Sequence, residues 1–191
     1  IDGLDGLAAS LAIIAFAAAG SAQIRPKAFS VTPFLGGYRF QNYEDLETKP
    51  VYGLRFGYEF TRNLGMEGVL EYGRTNFAGG TALESSTDLY GYRLEALYHY
   101  WPERRLIPFL ALGAGGRSIR FNDTTLDRNQ FAIDYGAGVK YFLTNNMAIR
   151  GDIRHIYLFN QYATNLEYSL GLTFYFGGQK IQPRPVEAVS V

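Results

Sequence analysis

The side chains that could do chemistry are Arg55, Arg93, Arg117, Lys140, Arg150 and Arg154, together with Glu59, Glu67, Glu71, Glu95, Asp134, Asp152 and Glu167. Carboxylates set against guanidiniums can carry acid–base catalysis or hold a developing negative charge. Their spacing here argues for a different use. Arg55 and Glu59 share one face of an alternating run with Gly53 and Gly57, and Arg93 and Glu95 share another with Gly91. Asp134 and Lys140 stand with Gly136 and Gly138. The signs nearly balance, and the glycines leave room for long side chains. Such a face, turned into a narrow closed interior, must pair its charges, because an unpaired buried charge costs several kcal/mol. The expectation is a structural ion-pair network with no catalytic residues and no cofactor.

The remaining reactive groups do not change that reading. His99 stands beside Tyr100, Trp101 and Pro102 with no second ligand at metal spacing. His155 should face lipid or the interface, and Ile156 and Tyr157 follow it rather than a serine. Ser169, on the polar face of the next segment, is the nearest hydroxyl that could serve it. Asn122, Asp123 and Asp127 lack the spacing of a calcium loop and read as a polar turn. Neither phosphate-binding glycine motif is present ahead of a helix, since the glycines of 113–116 fall in a strand. No metal site is expected.

These faces need elements that alternate with period two, which is the period of a β-strand. Eight segments satisfy it: 28–40, 50–60, 64–77, 88–100, 106–121, 129–142, 147–158 and 166–176. Each is long enough to cross a bilayer as a tilted strand of about 9–11 residues. Opposite the charges stand Leu54, Phe56, Tyr58, Leu70, Tyr92, Leu94, Ile133, Val139, Ile153, Leu170, Leu172 and Phe174, and these are expected to face lipid. The first and fifth segments carry apolar residues on both faces, so their register stays open. The connections 61–63, 101–105 and 144–146 are short, whereas 41–49, 78–87, 122–128 and 159–165 are longer. Short and long alternate, which puts tight turns at one rim and loops at the other, as in membrane barrels. Aromatic residues gather at both rims: Tyr38, Phe40, Tyr52, Tyr72, Phe77, Tyr90, Phe121, Phe131 and Tyr157 on the loop side, and Phe60, Tyr98, Tyr100, Trp101, Tyr141 and Phe176 on the turn side. The predicted fold is all-β, an eight-stranded antiparallel up-and-down transmembrane β-barrel over residues 23–178.

Composition agrees with strands. The 191 residues include 15 Tyr, 14 Phe and 22 Gly. Formal net charge is zero and no Lys/Arg run occurs, which argues against nucleic acid as a partner. Cysteine is absent, so disulfides and thiolate metal sites are excluded. Residues 1–22 read as an export signal. Leu7 to Ala19 is an apolar run of suitable length, and the small residues ending in Ala22 place cleavage before Gln23. The chain opens on Ile1, and Asp2 and Asp5 occupy the place of a basic flank, so the start reads as truncated. A buried N-terminal helix is the alternative. Residues 179–191, with Pro183 and Pro185, read as a linker or tail.

The motifs PFLGGYRF at 33–40, PFLALGAGG at 108–116, RGDIRHI at 150–156 and LEYSLGLTFYFGG at 166–178 resemble those of the OmpA-like outer-membrane β-barrel domain. The resemblance spans 23–178. It implies a barrel in a Gram-negative cell outer membrane, in contact with lipid and lipopolysaccharide. Phe174, Tyr175 and Phe176 resemble the closing-strand signal read by the barrel assembly machinery. Family members often continue through a proline-bearing linker into a peptidoglycan-binding domain, so the chain is expected to be the N-terminal barrel of a longer protein. The functional expectation is a structural anchor with surface-exposed loops and a charge-plugged lumen. A narrow porin or small-solute conduit is the first alternative, and an outer-membrane lipid-modifying hydrolase is the second. The loop sequences carry no legible binding signature.

Overall fold

The computed structural model describes residues 23–40, 49–76, 86–121, 128–159 and 163–179. The export segment with Ala22, the tail beyond 179 and nearly all of the longer connections lie outside these residues. Eight strands run β1 (Ala28–Phe40), β2 (Lys49–Glu59), β3 (Leu64–Asn76), β4 (Ser86–His99), β5 (Leu106–Phe121), β6 (Arg128–Thr144), β7 (Met147–Leu158) and β8 (Ala163–Gly177). Each pairs antiparallel with its sequence neighbour, and β8 returns to β1 to close the barrel. The closing seam runs from Ala28↔Gly177 to Phe40↔Asn165, with a break in the ladder at Thr32 and Pro33. Within it Thr32 Oγ1 donates to Thr173 Oγ1 at 2.9 Å inside the wall. Closure leaves no sheet edge with unpaired backbone, which a bilayer would not tolerate.

Three strands outrun the alternation that marks them in the sequence. β4 begins at Ser86 because Asn76↔Ser86 still pairs across the loop end. β8 begins at Ala163, opposite Leu158, so the last hairpin connection shrinks to residues 159–162. β6 continues to Thr144 through a register shift between Phe142 and Thr144. The connections 60–63, 100–105 and 145–146 occupy one rim, and 41–48, 77–85, 122–127 and 159–162 the other. The contrast between rims is therefore smaller than expected, since the last loop-side connection is as short as the first turn.

β1 and β5 take the registers that the sequence leaves open. Phe34 and Tyr38 point inward on β1, while Phe29 and Leu35 point outward. On β5, Ile107, Phe109 and Ala111 point inward and Leu106, Leu110 and Leu112 outward. The inward aromatics fit because the wall beside them is bare. A Cβ at Gly53 would strike the Phe34 ring 2.6 Å away, and one at Gly138 would collide with Phe109. Tyr38 consequently belongs to the interior and not to the aromatic rim, a correction that follows from the β1 register.

A short segment ahead of β1 crosses the turn-side mouth. Ile24 N–H donates to the Pro102 carbonyl in the β4–β5 turn at 3.1 Å, and Lys27 N–H donates to the Glu59 carbonyl at 2.6 Å. Ile24 is thereby fully buried against Ala28, Ile107, Phe142, Ala148 and Tyr175. A second apolar layer of Phe34, Tyr38, Val51, Val69, Ala132, Ile156 and Leu158 lies inside toward the loop rim.

Candidate functional site

Alternation dictates where the charges go. All of Arg55, Glu59, Glu67, Glu71, Arg93, Glu95, Arg117, Asp134, Lys140, Arg150, Asp152, Arg154 and Glu167 are buried inside the barrel. They are held by β2 through β8, one to three per strand. At the centre Arg150 of β7 binds both oxygens of Glu67 across the lumen through Nη1. Its Nε and Nη2 donate to Asp152 Oδ2 and Oδ1 at 2.8 and 3.0 Å. Asp152 also receives Arg55 Nη1 at 3.2 Å and lies 2.7 Å from Arg154 Nη2. Arg55 continues to Ser169 Oγ at 3.1 Å and Glu167 Oε1 at 3.4 Å.

Toward the loop rim Arg93 is the hub. Its Nη1 lies 2.8 Å from Glu167 Oε2 and 3.0 Å from Glu71 Oε2, and its Nε donates to Glu95 Oε1 at 3.3 Å. Arg154 reaches Glu95 Oε2 through Nη2 and Nε at 3.0 and 3.2 Å. Asp134 sits between the two guanidiniums, 3.8 Å from Arg93 Nε and 3.9 Å from Arg154 Nε. The Tyr38 hydroxyl donates to Glu71 Oε1 at 2.5 Å. Toward the turn rim a smaller cluster joins Lys140 Nζ to Glu59 Oε1 at 3.3 Å and to His99 Nε2 at 3.0 Å.

Arg117 is held by other kinds of group. Among the described residues its guanidinium lies 4.6 Å over the Tyr38 ring. With the Asn165 amide turned to present its oxygen, that oxygen accepts from Arg117 Nη1 at 3.1 Å. Among the described residues, an aromatic face and an amide hold this cation. Sequence reasoning also misses the aromatic platforms inside. Arg55 lies 4.1 Å over Phe34, and Arg150, Lys140 and Arg154 lie 4.7, 5.4 and 5.6 Å from the centre of the Phe109 ring. Ring faces attract cations most strongly when water is excluded. The available signal was the unexplained bulk of Phe34 and Phe109 on faces otherwise given to glycine.

The outside is the converse. Leu54, Phe56, Leu70, Tyr92, Leu94, Val139, Ile153, Leu170, Leu172 and Phe174 point outward and are exposed, and Tyr58 and Ile133 point outward half-buried. Leu170 keeps 64% of its surface and Leu94 58%. Such a belt around a whole molecule far exceeds the few hundred Å² of contiguous apolar surface usual on a soluble monomer. At the turn rim Phe60, Tyr98, Tyr100, Trp101, Tyr141 and Phe176 are exposed, and Tyr52, Tyr90 and Phe131 are exposed near the loop rim. His155 also points outward, its ring 5.1 Å from that of Tyr135. Ser169 points inward to Arg55. The barrel wall separates these two groups, so they do not form a nucleophile–base pair. Gln23, on the chain side of the expected cleavage, precedes the segment across the mouth.

A family model described as "Outer membrane protein beta-barrel domain" matches residues 8–176. The chain belongs to this outer-membrane barrel family. It is thus a transmembrane barrel of the Gram-negative outer membrane, and the apolar belt is its lipid-facing surface. Solved structures share the fold. Neisserial surface protein A matches with a TM-score of 0.60 at 18% identity, over 78% of this chain and 99% of that one. The N-terminal β-barrel domain of Pseudomonas aeruginosa OprF gives 0.57 at 22% identity, over 80% and 100%. OprG from the same organism gives 0.63 at 11% identity, over 83% and 100%. No curated protein matches the chain by sequence.

Proposed function

We propose that this barrel is a non-conducting structural anchor of the outer membrane that carries its four loop-side connections at the cell surface. One observation carries the reading: the lumen is filled by a cross-linked ion-pair network that bridges opposite walls, as Arg150 does to Glu67. An apolar layer lies on either side of it, the turn-side one completed by Ile24. Conducting solute would mean displacing charge pairs that are worth several kcal/mol when one partner is removed. The separation of His155 from Ser169 by the wall gives no support to a lipid-trimming hydrolase, and the reading is of a protein without enzymatic activity.

In this reading the barrel meets lipopolysaccharide through its outer belt and is inserted by the barrel assembly machinery through its closing strand, Phe174 to Phe176. Peptidoglycan contact would need a further domain after the proline-bearing tail, as in the longer OmpA-like proteins. The test is electrical. Purified protein in planar bilayers should give no steady conductance step. A stable ohmic pore would reject the plugged anchor in favour of a conduit. Mass spectrometry of lipid A from cells with and without the protein should show no change, and a lost acyl chain would reject the non-enzymatic reading.

A further inference from the structure

The turn rim is strongly lopsided in charge. Its described residues include Arg25, Lys27, Arg62, Arg104 and Arg105, against the single acid Glu103. Backbone hydrogen bonds gather Lys27, Arg62, Arg104 and Arg105 onto the β1–β5 side. Lys27 N–H on the Glu59 carbonyl sets the N-terminal segment beside the β2–β3 turn, and Ile24 N–H on the Pro102 carbonyl ties that segment to the β4–β5 turn, whereas the Arg25 Cβ lies against Gly178 after β8. Asn63 Nδ2 donates to the His99 carbonyl at 2.9 Å, and His99 N–H donates to the Asn63 carbonyl, which fixes Arg62 beside the Trp101–Arg105 turn. The Arg104 guanidinium lies 5.3 Å from the centre of the Trp101 ring.

Two further observations point to a ligand at membrane depth. Phe60, Tyr98, Tyr100 and Trp101 are exposed on the same side. Amphipathic rings collect at the headgroup level of a bilayer, so they place the cations beside lipid headgroups. Among the described residues, Lys27 and Trp101 are the non-glycine residues with positive φ, at 61° and 50°. This conformation is disfavoured for side chains with a Cβ, and residues held in it cluster at binding sites. A turn that needed only to be tight would be easier with glycine at both positions.

We propose that the β1–β5 side of the turn rim binds anionic phospholipid headgroups of the leaflet it meets, with Arg62 and Arg104 on the phosphodiester and Trp101 at the glycerol level. The charge complementarity is direct, since this arc offers guanidiniums and an anionic lipid brings a net negative headgroup. Zwitterionic lipids share the phosphate but cancel its charge, so they should bind more weakly.

Trp101 is the chain's single tryptophan, which makes it a built-in reporter. The full chain is reconstituted in phosphatidylcholine vesicles containing either brominated phosphatidylglycerol or brominated phosphatidylcholine at equal mole fraction, and quenching of Trp101 fluorescence is compared. A preference for phosphatidylglycerol of roughly fivefold is expected, the size of one basic side chain's attraction to an anionic surface. It should fall toward one in Arg62→Gln/Arg104→Gln, persist in Arg62→Lys/Arg104→Lys, and weaken in the wild type as salt is raised. Because each preference is a ratio within one protein, loss of the Arg104–Trp101 stacking does not bias it. Should the glutamine variant fail to fold, the salt titration of the wild type decides. Equal quenching by the two lipids, a preference unaffected by salt, or one retained in a folded glutamine variant would overturn the proposal.

Discussion

Arg150 shows why single residues in the lumen matter unequally. It satisfies Glu67 on the facing wall and Asp152 on its own strand at once. Arg150→Ala strands the buried Glu67 carboxylate, while Asp152 keeps Arg55 and Arg154, and should destabilise the folded barrel by about 3–5 kcal/mol. Urea unfolding in lipid vesicles measures this, with Glu103→Ala at the exposed rim as the control, expected within about 0.5 kcal/mol of wild type. Equal losses would mean that the network carries no stability. Phe109 makes a second case, because its ring serves Arg150, Lys140 and Arg154 together. Phe109→Leu keeps apolar bulk and removes the ring face, so a loss of about 1–2 kcal/mol by the same measurement is expected.

At the scale of the element, the wall has two faces that answer differently to the same substitution. Leu94, outward on β4, should resist arginine by about 2–4 kcal/mol near the bilayer midplane. Gly91, inward on the same strand, faces the Glu71 carboxylate, so arginine there meets an acid and suffers crowding instead. Folding yield into vesicles should fall for Leu94→Arg, and an unaffected yield would mean the faces are reversed. The even-numbered strands show this in the sequence because each keeps bulk on one side and glycine or charge on the other. β1 and β5 do not, and the reason is physical. Phe34, Tyr38 and Phe109 serve cations from inside, so inward positions look as apolar as outward ones. The segment across the turn-side mouth was illegible for another reason: Ile24 is one apolar residue before Arg25 and Pro26, too short a stretch to show any periodicity. Its contribution is testable, since Ile24→Asp buries a charge among Ile107, Phe142 and Ala148 and should lower stability by several kcal/mol.

For the whole molecule, closure is what makes the inside-out pattern stable. With β8 paired to β1, every strand finds two neighbours, and the charges meet one another and the inward rings and hydroxyls in place of water. The ion-pair partners themselves could not be read from sequence, because alternation fixes a face but not which cation reaches which acid across the lumen. Arg117 illustrates the limit, being inward as its face requires yet held by Tyr38 and Asn165. The folded barrel should migrate faster than the boiled chain on a detergent gel and fractionate with the outer membrane. Identical migration before and after boiling would argue against a closed barrel.

The absence of native cysteine allows the faces of β4 to be mapped by attaching a spin label at each position from 90 to 98 in turn, in vesicles. Collision with oxygen, which concentrates among acyl chains, should peak at Tyr92, Leu94 and Ala96 and fall at Gly91, Arg93 and Glu95. Peaks at Gly91, Arg93 and Glu95, or a profile without alternation, would contradict a barrel whose bulky side chains meet lipid while its charges pair within.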